Sequence, residues 1–351
     1  MLAALPAQAQ HGDRWEMRWG RVMRQPVEWY GSEEAIRIAD NVLAYQHPTG
    51  GWPKNIDMAR KLSAEELDKV RRDAPGMQPI IDNGATHTQV RYLARVYQAT
   101  SEDRFRDALL RGVDYLLEAQ YPSGGWPMMH PLRRGYYSDI TFNDGAMIGT
   151  MSVLRDAASG KGEWAAVDPP RRRKAAAAVE RGIDVILKCQ VKQGGHLTVW
   201  CAQHDPHDLH PTKARSYELP SLSGQESVGI VQFLMSVEQP SPEIVNAIES
   251  AVAWFERTKV TGLRVEFHRG PDGPDRVAVE DLNAPPLWAR FYDLETNQPM
   301  YVSRDGTVHE TYNEIDRERR LGYSYLGPYA GGLLKRDYPK WKKRLEVDAG
   351  N

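Results

Sequence analysis

Acidic and amide side chains occur in pairs at three places in this 351-residue chain. The three stretches are IIDNGATHTQ from residue 80, ITFNDGAMIG from residue 140 and LSGQESVGIV from residue 222. Their paired residues are Asp82, Asn83, Asn143, Asp144, Gln225 and Glu226. Such residues are good N-caps, but one cap needs only one of them, so the second residue of each pair could bind a metal or a substrate. Clustered carboxylate and amide oxygens are hard ligands that suit Ca²⁺.

Basic and aromatic residues form a second set of candidates for chemistry. They lie in the loops that would follow the helices: Trp52, Lys54, Asn55, Trp126, His130, Trp200, Lys213, Arg215 and Tyr217. Trp and Tyr rings stack on sugars, although a Trp after Gly-Gly also serves as a wedge that holds a turn against the next helix. Both interpretations of the tryptophans stay open.

Other site types have little support. The segment HDPHDLHP over residues 204–211 offers three histidines, but no Cys pair or helical HExxH accompanies it, which disfavours zinc. The chain contains no GxGxxG opening a helix, no P-loop and no GxSxG, which argues against nucleotide binding and against a serine triad.

A repeated turn indicates which elements must position these residues. QHPTGGWP at 46–53 returns as QYPSGGWP at 120–127, and a degraded third copy, QVKQGGHLTVW, begins at Gln190. The glycines at 50, 124 and 194 are 74 and 70 residues apart. Each copy ends a pattern of apolar residues at helical spacing, and a fourth such helix ends at Gly262. This periodicity predicts a repeat architecture.

The other helix of each unit is predicted over residues 83–100, 144–159 and 224–239. Three helix-pair repeats with long loops, after an extra N-terminal helix, predict an all-α fold of the α/α barrel or toroid type. In a closed ring these helix N-termini would point to one mouth. The paired acids and amides would meet there.

Composition predicts one large domain. The chain has 41% hydrophobic residues, and its repeats continue without a Pro/Ser-rich linker, so we expect a single barrel catalytic domain over residues 15–351.

Residues 1–14, with Ala7-Gln8-Ala9, are interpreted as a signal-peptide remnant or a flexible N-terminus, and a signal-peptide remnant favours secretion. The net charge of −2 gives no attraction to nucleic acids or membranes, so we expect neither as a partner. We also expect the protein to be a monomer. Cys189 and Cys201 could form a disulfide or remain buried thiols.

Eight ordered motifs resemble the catalytic module of the family 10 polysaccharide lyases, the pectate lyases. They are GGWPKN, IDNGATHTQ, QYPSGGWP, TFNDGAM, WCAQHD, ARSYELPSLSGQES, LWARFYDLETNQP and GYSYLGPY, and the resemblance spans residues 30 to 340. It implies an (α/α)₃ barrel and Ca²⁺-assisted β-elimination of polygalacturonate to 4,5-unsaturated oligogalacturonides. Two segments, PHDLHP and HRGPDGPD, lie in stretches that look variable, which leaves loop-dependent properties open.

The resemblance also implies roles for individual residues. Asp82 and Asp144, with Asn83, would hold calcium and the substrate carboxylate. Arg215 would be the catalytic base, although a free guanidinium is protonated at neutral pH, so neighbouring cations such as Lys213 would have to disfavour its charge. The expected substrate-binding residues are Lys54, Asn83, Lys213, Arg290, Arg304 and Tyr325.

Two other classes of function are compatible with the sequence. One is another α/α-toroid carbohydrate enzyme, such as a uronyl hydrolase, in which Glu226 or Asp144 would act as general acid. A terpene cyclase fits the Q-x-x-x-G-x-W turn, but the chain lacks DxDD and DDxxD. The other class is a non-catalytic polygalacturonate-binding protein.

Overall fold

The computed structural model describes residues 17–271 and 273–349. The helices are α1 (Trp19–Val22), α2 (Glu33–Ala44), α3 (Ala64–Asp73), α4 (His87–Thr100), α5 (Asp103–Glu118), α6 (Ala146–Ser159), α7 (Pro169–Cys189), α8 (Glu226–Met235), α9 (Pro242–Arg257), α10 (Arg317–Gly322) and α11 (Tyr338–Ala349). The strands are β1 (Ile140–Thr141), β2 (Lys192–Gln193), β3 (His196–Leu197), β4 (Gln203–His204), β5 (Leu222–Ser223), β6 (Leu263–Gly270), β7 (Gly273–Glu280), β8 (Trp288–Ala289), β9 (Phe291–Tyr292), β10 (Tyr301–Val302), β11 (Val308–His309) and β12 (Leu326–Gly327).

Three consecutive helix pairs carry the repeated part of the sequence. Helix α4 packs against α5, α6 against α7, and α8 against α9. The first helix of each pair begins later than predicted, at His87, Ala146 and Glu226. In the first two pairs a short 3₁₀ turn, over Asp82–Gly84 and Asn143–Gly145, takes the place of the predicted first helical residues.

The predicted all-α class, and with it the (α/α)₃ barrel, is wrong for this chain. About 49% of the structure is helical and 13% is strand. The described residues form six two-stranded sheets, and every pair is antiparallel. Five of these sheets have two-residue strands, which are too short to leave a periodic pattern in a sequence.

The sixth sheet is a hairpin of eight-residue strands, β6 and β7, in the stretch that contains HRGPDGPD. Its first strand alternates apolar and polar residues, with Leu263, Val265 and Phe267 at every second position. The turn includes Gly273 with φ of 98°, a left-handed conformation that glycine adopts at no steric cost. The hairpin therefore has a local signal in the sequence, an alternation with a period of two that a helical-repeat pattern does not include.

The repeated Gln–Gly–Gly–Trp turn ties each unit to the next. Gln46 Nε2 donates to the carbonyls of Gly50 and Ala108, each at 2.9 Å, and so joins its own turn to α5. Gln120 makes the same bonds to Gly124 and Ala178 at 2.9 and 2.8 Å. The third copy, Gln190, bonds the carbonyls of Thr198 and Ala247.

The tryptophans of these turns are structural wedges. Trp52, Trp126 and Trp200 are fully buried. Each indole N–H donates to a carbonyl of the preceding helix at 2.7 Å: that of Val42, Leu116 or Ile186. The sugar-platform interpretation of these three rings therefore does not hold.

One large hydrophobic core joins residues from Val22 to Trp341. Cys189 and Cys201 are both buried free thiols within it or at its edge, so the structure contains the second of the two alternatives predicted for them. Among the described residues, no helix has both the length and the apolar character needed to cross a membrane. The predicted signal-peptide remnant at 1–14 lies outside the described residues.

Candidate active site

The two 3₁₀ turns place the paired acids and amides in matching positions. Asn83 has φ of 52° and Asp144 has φ of 47°, so the second member of each pair is left-handed. Asn and Asp tolerate this conformation better than other residues with a side chain. The first members, Asp82 and Asn143, are buried, whereas Asn83 and Asp144 are exposed. Each turn thus contributes one buried and one exposed polar side chain.

A continuous chain of polar contacts joins the turns. Lys54 Nζ forms an ion pair with Asp82 Oδ2. The Nδ2 of Asn143 lies 3.4 Å from Asp82 Oδ1 and 3.0 Å from Asp144 Oδ2, so this amide donates to both carboxylates. The structure therefore brings together Asp82 and Asp144, which lie 62 positions apart in the sequence.

Arg290 extends this chain to the third helix pair. Its Nη2 donates to Asp144 Oδ1 at 3.0 Å, to Asn143 Oδ1 at 3.3 Å and to Glu226 Oε1 at 2.7 Å. The backbone of Arg290 lies between β8 and β9; its N–H donates to Tyr325 at 2.7 Å, and its carbonyl accepts from Gly224 at 3.1 Å. Its Nε has no hydrogen-bond partner among the described residues. We call the linked set Lys54, Asp82, Asn143, Asp144, Glu226 and Arg290 the polar chain.

Burial controls protonation at the inner end of the polar chain. Burial raises the pKa of Glu226 to about 7, an effect that nearby Asp144 adds to and Arg290 opposes. Burial alone would lower the pKa of Arg290, but Glu226 and Asp144 more than compensate, so its pKa is raised and it stays a cation. The Glu226 side chain is only 2% exposed and is held by Arg290, an arrangement that does not suit the general acid of a hydrolase.

Arg215 connects to the polar chain through Tyr323. The Tyr323 ring lies 4.6 Å from the Arg290 guanidinium carbon and 5.7 Å from that of Arg215. Arg215 forms a two-point ion pair with Glu218, including Nε to Oε2 at 2.6 Å. The Tyr323 hydroxyl donates to the same carboxylate at 2.7 Å. Arg215 remains 44% exposed and accessible to a ligand.

Neighbouring cations were expected to lower the pKa of Arg215, but the structure has the opposite arrangement. Hydrogen bonding to Glu218 raises the pKa of Arg215 above its usual value, whereas a base needs a lowered pKa. Lys213 is exposed on the same segment, but the Glu218 carboxylate, which sequence analysis did not consider, is the group in direct contact. A role for Arg215 as base would require a change in this pairing.

Three predicted substrate-binding residues remain: Asn83 and Arg304, which are exposed, and Tyr325, which is buried. Arg304 and Arg215 lie on one ring, with guanidinium carbons 5.6 and 4.9 Å from the centre of Tyr217, and Arg304 is also paired with Glu318. Asn83 Nδ2 donates to Asn55 Oδ1 at 3.1 Å. Tyr325 differs: it is 1% exposed and its hydroxyl donates to the Val302 carbonyl, so the structure does not present this ring to a sugar.

Sequence analysis missed Glu218 and Tyr323. Glu218 follows Arg215 by three residues, a spacing at which opposite charges often pair, and this signal could have identified it. Tyr323 had no comparable signal, because its contacts with Arg215 and Arg290 connect segments distant in sequence.

Within the described ranges one further group has the geometry to hold a metal ion. Single ligand atoms of Asp205, Asp208 and His210 lie within 4.8 Å of one another. His204, the first histidine of the predicted zinc alternative, is instead buried and bonds the Leu209 carbonyl through Nδ1 at 2.8 Å. The three histidines of HDPHDLHP therefore do not form a zinc site here.

Comparisons with known proteins identify the family. The family model described as pectic acid lyase matches residues 46–334. Two structures of a family 10 polysaccharide lyase from Cellvibrio cellulosa, one of them a mutant in complex with trigalacturonic acid, are similar to this chain. In both comparisons the identity is 37%, the TM-score is 0.76, and the alignment covers 88% of this chain and 93% of the other. A search of curated proteins finds no match. The chain belongs to the pectic acid lyase family and is a polysaccharide lyase similar to those of family 10.

Proposed function

We propose that this lyase is secreted and cleaves polygalacturonate by Ca²⁺-assisted β-elimination, which yields 4,5-unsaturated oligogalacturonides. The observation that carries the proposal is the polar chain, in which carboxylates and fixed cations alternate beside the exposed Arg215. The similar lyase that was solved with trigalacturonic acid supports the choice of substrate. Secretion rests on the sequence of residues 1–14 alone.

The donor set fits calcium. Asp82 and Asp144 flank one amide, at 3.4 and 3.0 Å from its nitrogen, and supply hard carboxylate oxygens. Lys54 engages Oδ2 of Asp82, and Oδ1, which accepts the long 3.4 Å bond from Asn143, keeps a second lone pair for an ion. Asn83 adds an exposed carbonyl oxygen, because its Nδ2 is the atom bonded to Asn55. When bound at these residues, Ca²⁺ would withdraw electron density from a substrate carboxylate and make the adjacent C5 proton more acidic.

The chain's own residues would carry out the remaining work. Lys54 keeps the carboxylate of Asp82 oriented, and Arg290 keeps those of Asp144 and Glu226 oriented. Arg304 and Lys213, both exposed, would bind carboxylates of neighbouring sugars. The base would take the C5 proton, the electrons of that bond would form the C4–C5 double bond, and the 4-O-glycosidic bond would break with its oxygen leaving. Arg215 is our candidate for that base, provided that a ligand displaces Glu218 from it.

The test is ultraviolet absorbance of polygalacturonate with the protein, once with Ca²⁺ and once with a chelator. A rise at about 235 nm seen only with Ca²⁺ supports metal-assisted elimination, because elimination leaves a conjugated double bond. A rise that is equal in both samples would refute the calcium requirement. The absence of a rise in either sample, with intact protein, would refute polygalacturonate as the substrate.

A further inference from the structure

The N-terminal segment forms one wall of a cavity beside the polar chain. The cavity has a volume of about 550 Å³. This lies within the range of roughly 300–1,000 Å³ that is typical of ligand sites. Segment 18–24 lines one side, and segments 53–57 and 83–85 line the other. Lys54 and Asn83 belong to this lining, so the cavity opens directly onto the predicted calcium and substrate residues.

The charge of the cavity is strongly one-sided. Its basic lining residues are Arg18, Arg21, Arg24 and Lys54, and the acidic one is Asp57. Asp57 Oδ1 already accepts the backbone N–H of Trp19 at 2.8 Å. Between the three arginines and any carboxylate of the described residues there is no ion pair. Exposed arginines without an ion-pair partner among the described residues raise the local concentration of anions.

The segment is firmly attached to the domain, so the backbone positions of its arginines are defined. Val22 is fully buried, and its carbonyl accepts the Tyr30 hydroxyl at 2.8 Å. Arg95 Nη1 donates to the Met23 carbonyl at 3.1 Å. The Trp19 ring packs edge-on against Tyr92 with 5.4 Å between ring centres. Because the backbone is already fixed, binding of a ligand would have to order only the arginine side chains.

We propose that Arg18, Arg21 and Arg24 form an additional subsite that binds carboxylates of a polyuronate chain extending beyond the reaction centre. A polyuronate carries a carboxylate on every sugar, so a strand that occupies the polar chain presents further carboxylates to an adjoining cationic groove. The segment precedes residues 46–334, so the subsite lies outside the part of the chain that the family model matches. The inference rests on the proposed substrate class.

The test compares a triple variant, Arg18→Gln, Arg21→Gln and Arg24→Gln, with a control in which Arg173, Arg257 and Arg269 are replaced by Gln. The control removes the same charge from exposed arginines of α7, α9 and β6, which do not line the cavity. Two properties are measured for each protein: kcat/KM for galacturonate trimer and for polymer, and affinity for an octamer with chelator present, so that no cleavage occurs.

We expect the triple variant to lose roughly tenfold in kcat/KM for polymer and in affinity for the octamer, since three exposed contacts each contribute a fraction of the binding energy. Trimer turnover and the control should stay near wild type. High salt should shrink the difference, because it screens exposed charges. Equal losses for trimer and polymer, or for variant and control, would overturn the subsite. Failure of the wild type to cleave either substrate would refute the proposed function, and octamer affinity would still decide the subsite.

Discussion

At the scale of single residues, the site is a set of charges that hold one another in place. Asp82, Asp144 and Glu226 each contact a cation, and one buried arginine joins two of them. The exposed members at the edge, Asn83 and Asp144, occupy left-handed positions at the tips of their turns. The buried side chains of the site therefore orient the exposed side chains, and a ligand can reach the exposed side chains.

Arg215 gives a direct test at this scale. We expect Arg215→Lys to lower kcat by about 100-fold or more, because lysine cannot reproduce the planar two-point geometry with which arginine would face the substrate once Glu218 is displaced. The measurement is the initial rate of unsaturated product at saturating polygalacturonate, with Arg257→Lys as the control. Near-normal turnover of Arg215→Lys would rule out the base assignment.

At the scale of elements, the repeated turns act as joints between helix pairs. Gly124 has φ of 102°, and a Cβ atom there would lie 2.3 Å from the carbonyl oxygen of Arg181. The second glycine, Gly125, faces Ile140 equally closely, with 2.5 Å to a side-chain carbon. The Gly-Gly pair is thus needed for the backbone conformation at Gly124 and for the close approach of α7 and β1.

Gly124→Ala is therefore expected to lower the free energy of unfolding by about 3 kcal/mol, from left-handed strain together with the clash against backbone. Chemical denaturation measures this change. Gly76→Ala is the matched control, since it has no positive φ and nothing within 4 Å of an added Cβ, and it should change stability little. Equal effects of the two substitutions would contradict the role given to the turn.

A buried histidine in β4 gives a prediction for pH dependence. Burial lowers the pKa of His204 from 6.5 to about 4, and the carbonyls of Leu209 and Cys201 oppose this shift without cancelling it. The folded state therefore disfavours the protonated ring. Stability should be complete above pH ~6.5 and should fall as pH decreases toward ~4, by about 3 kcal/mol for this group.

His204→Asn keeps a donor for the Leu209 carbonyl but cannot titrate in this range. We expect its free energy of unfolding to depend less on pH between ~4 and ~6.5 than that of the wild type. Denaturation at a series of pH values measures this, with the exposed His207→Asn as control. An unchanged pH slope in His204→Asn would show that this ring does not titrate as described.

At the scale of the whole molecule, one core includes side chains from both ends of the described chain. Val22, Tyr30, Ile38 and Val42 belong to it, and all four precede residue 46, where the family match begins. Each contributes roughly 2 kcal/mol by burial. That total is comparable with the roughly 5–15 kcal/mol of net stability of a typical domain.

We therefore expect a chain starting at residue 46 not to fold, and the full chain to unfold in one cooperative transition, as the predicted single domain requires. Calorimetry measures both, through the presence of a transition and the agreement of its calorimetric and van't Hoff enthalpies. A chain lacking only residues 1–14 is the control and should retain the transition. Two separate transitions in the full chain would contradict the single domain.

The sequence by itself determined the features that depend on local order. Apolar spacing predicted the three helix pairs, repetition located the turns that join them, and the motifs indicated the lyase family. Asp82, Asp144, Lys54 and Arg290 were also chosen from motifs, and the structure joins them in one set of contacts. Local patterns of this kind survive in a sequence because they recur at fixed spacing.

Only the tertiary structure decided the features that depend on distant residues. Arg290 contacts Asp144 across 146 positions, Tyr323 contacts Glu218 across 105, and short strands pair segments that carry no periodic pattern. The same is true of the burial of the three turn tryptophans and of the free state of the two thiols. Such contacts are selected by packing of the whole chain, because each partner is compatible with many other neighbours until the fold excludes them.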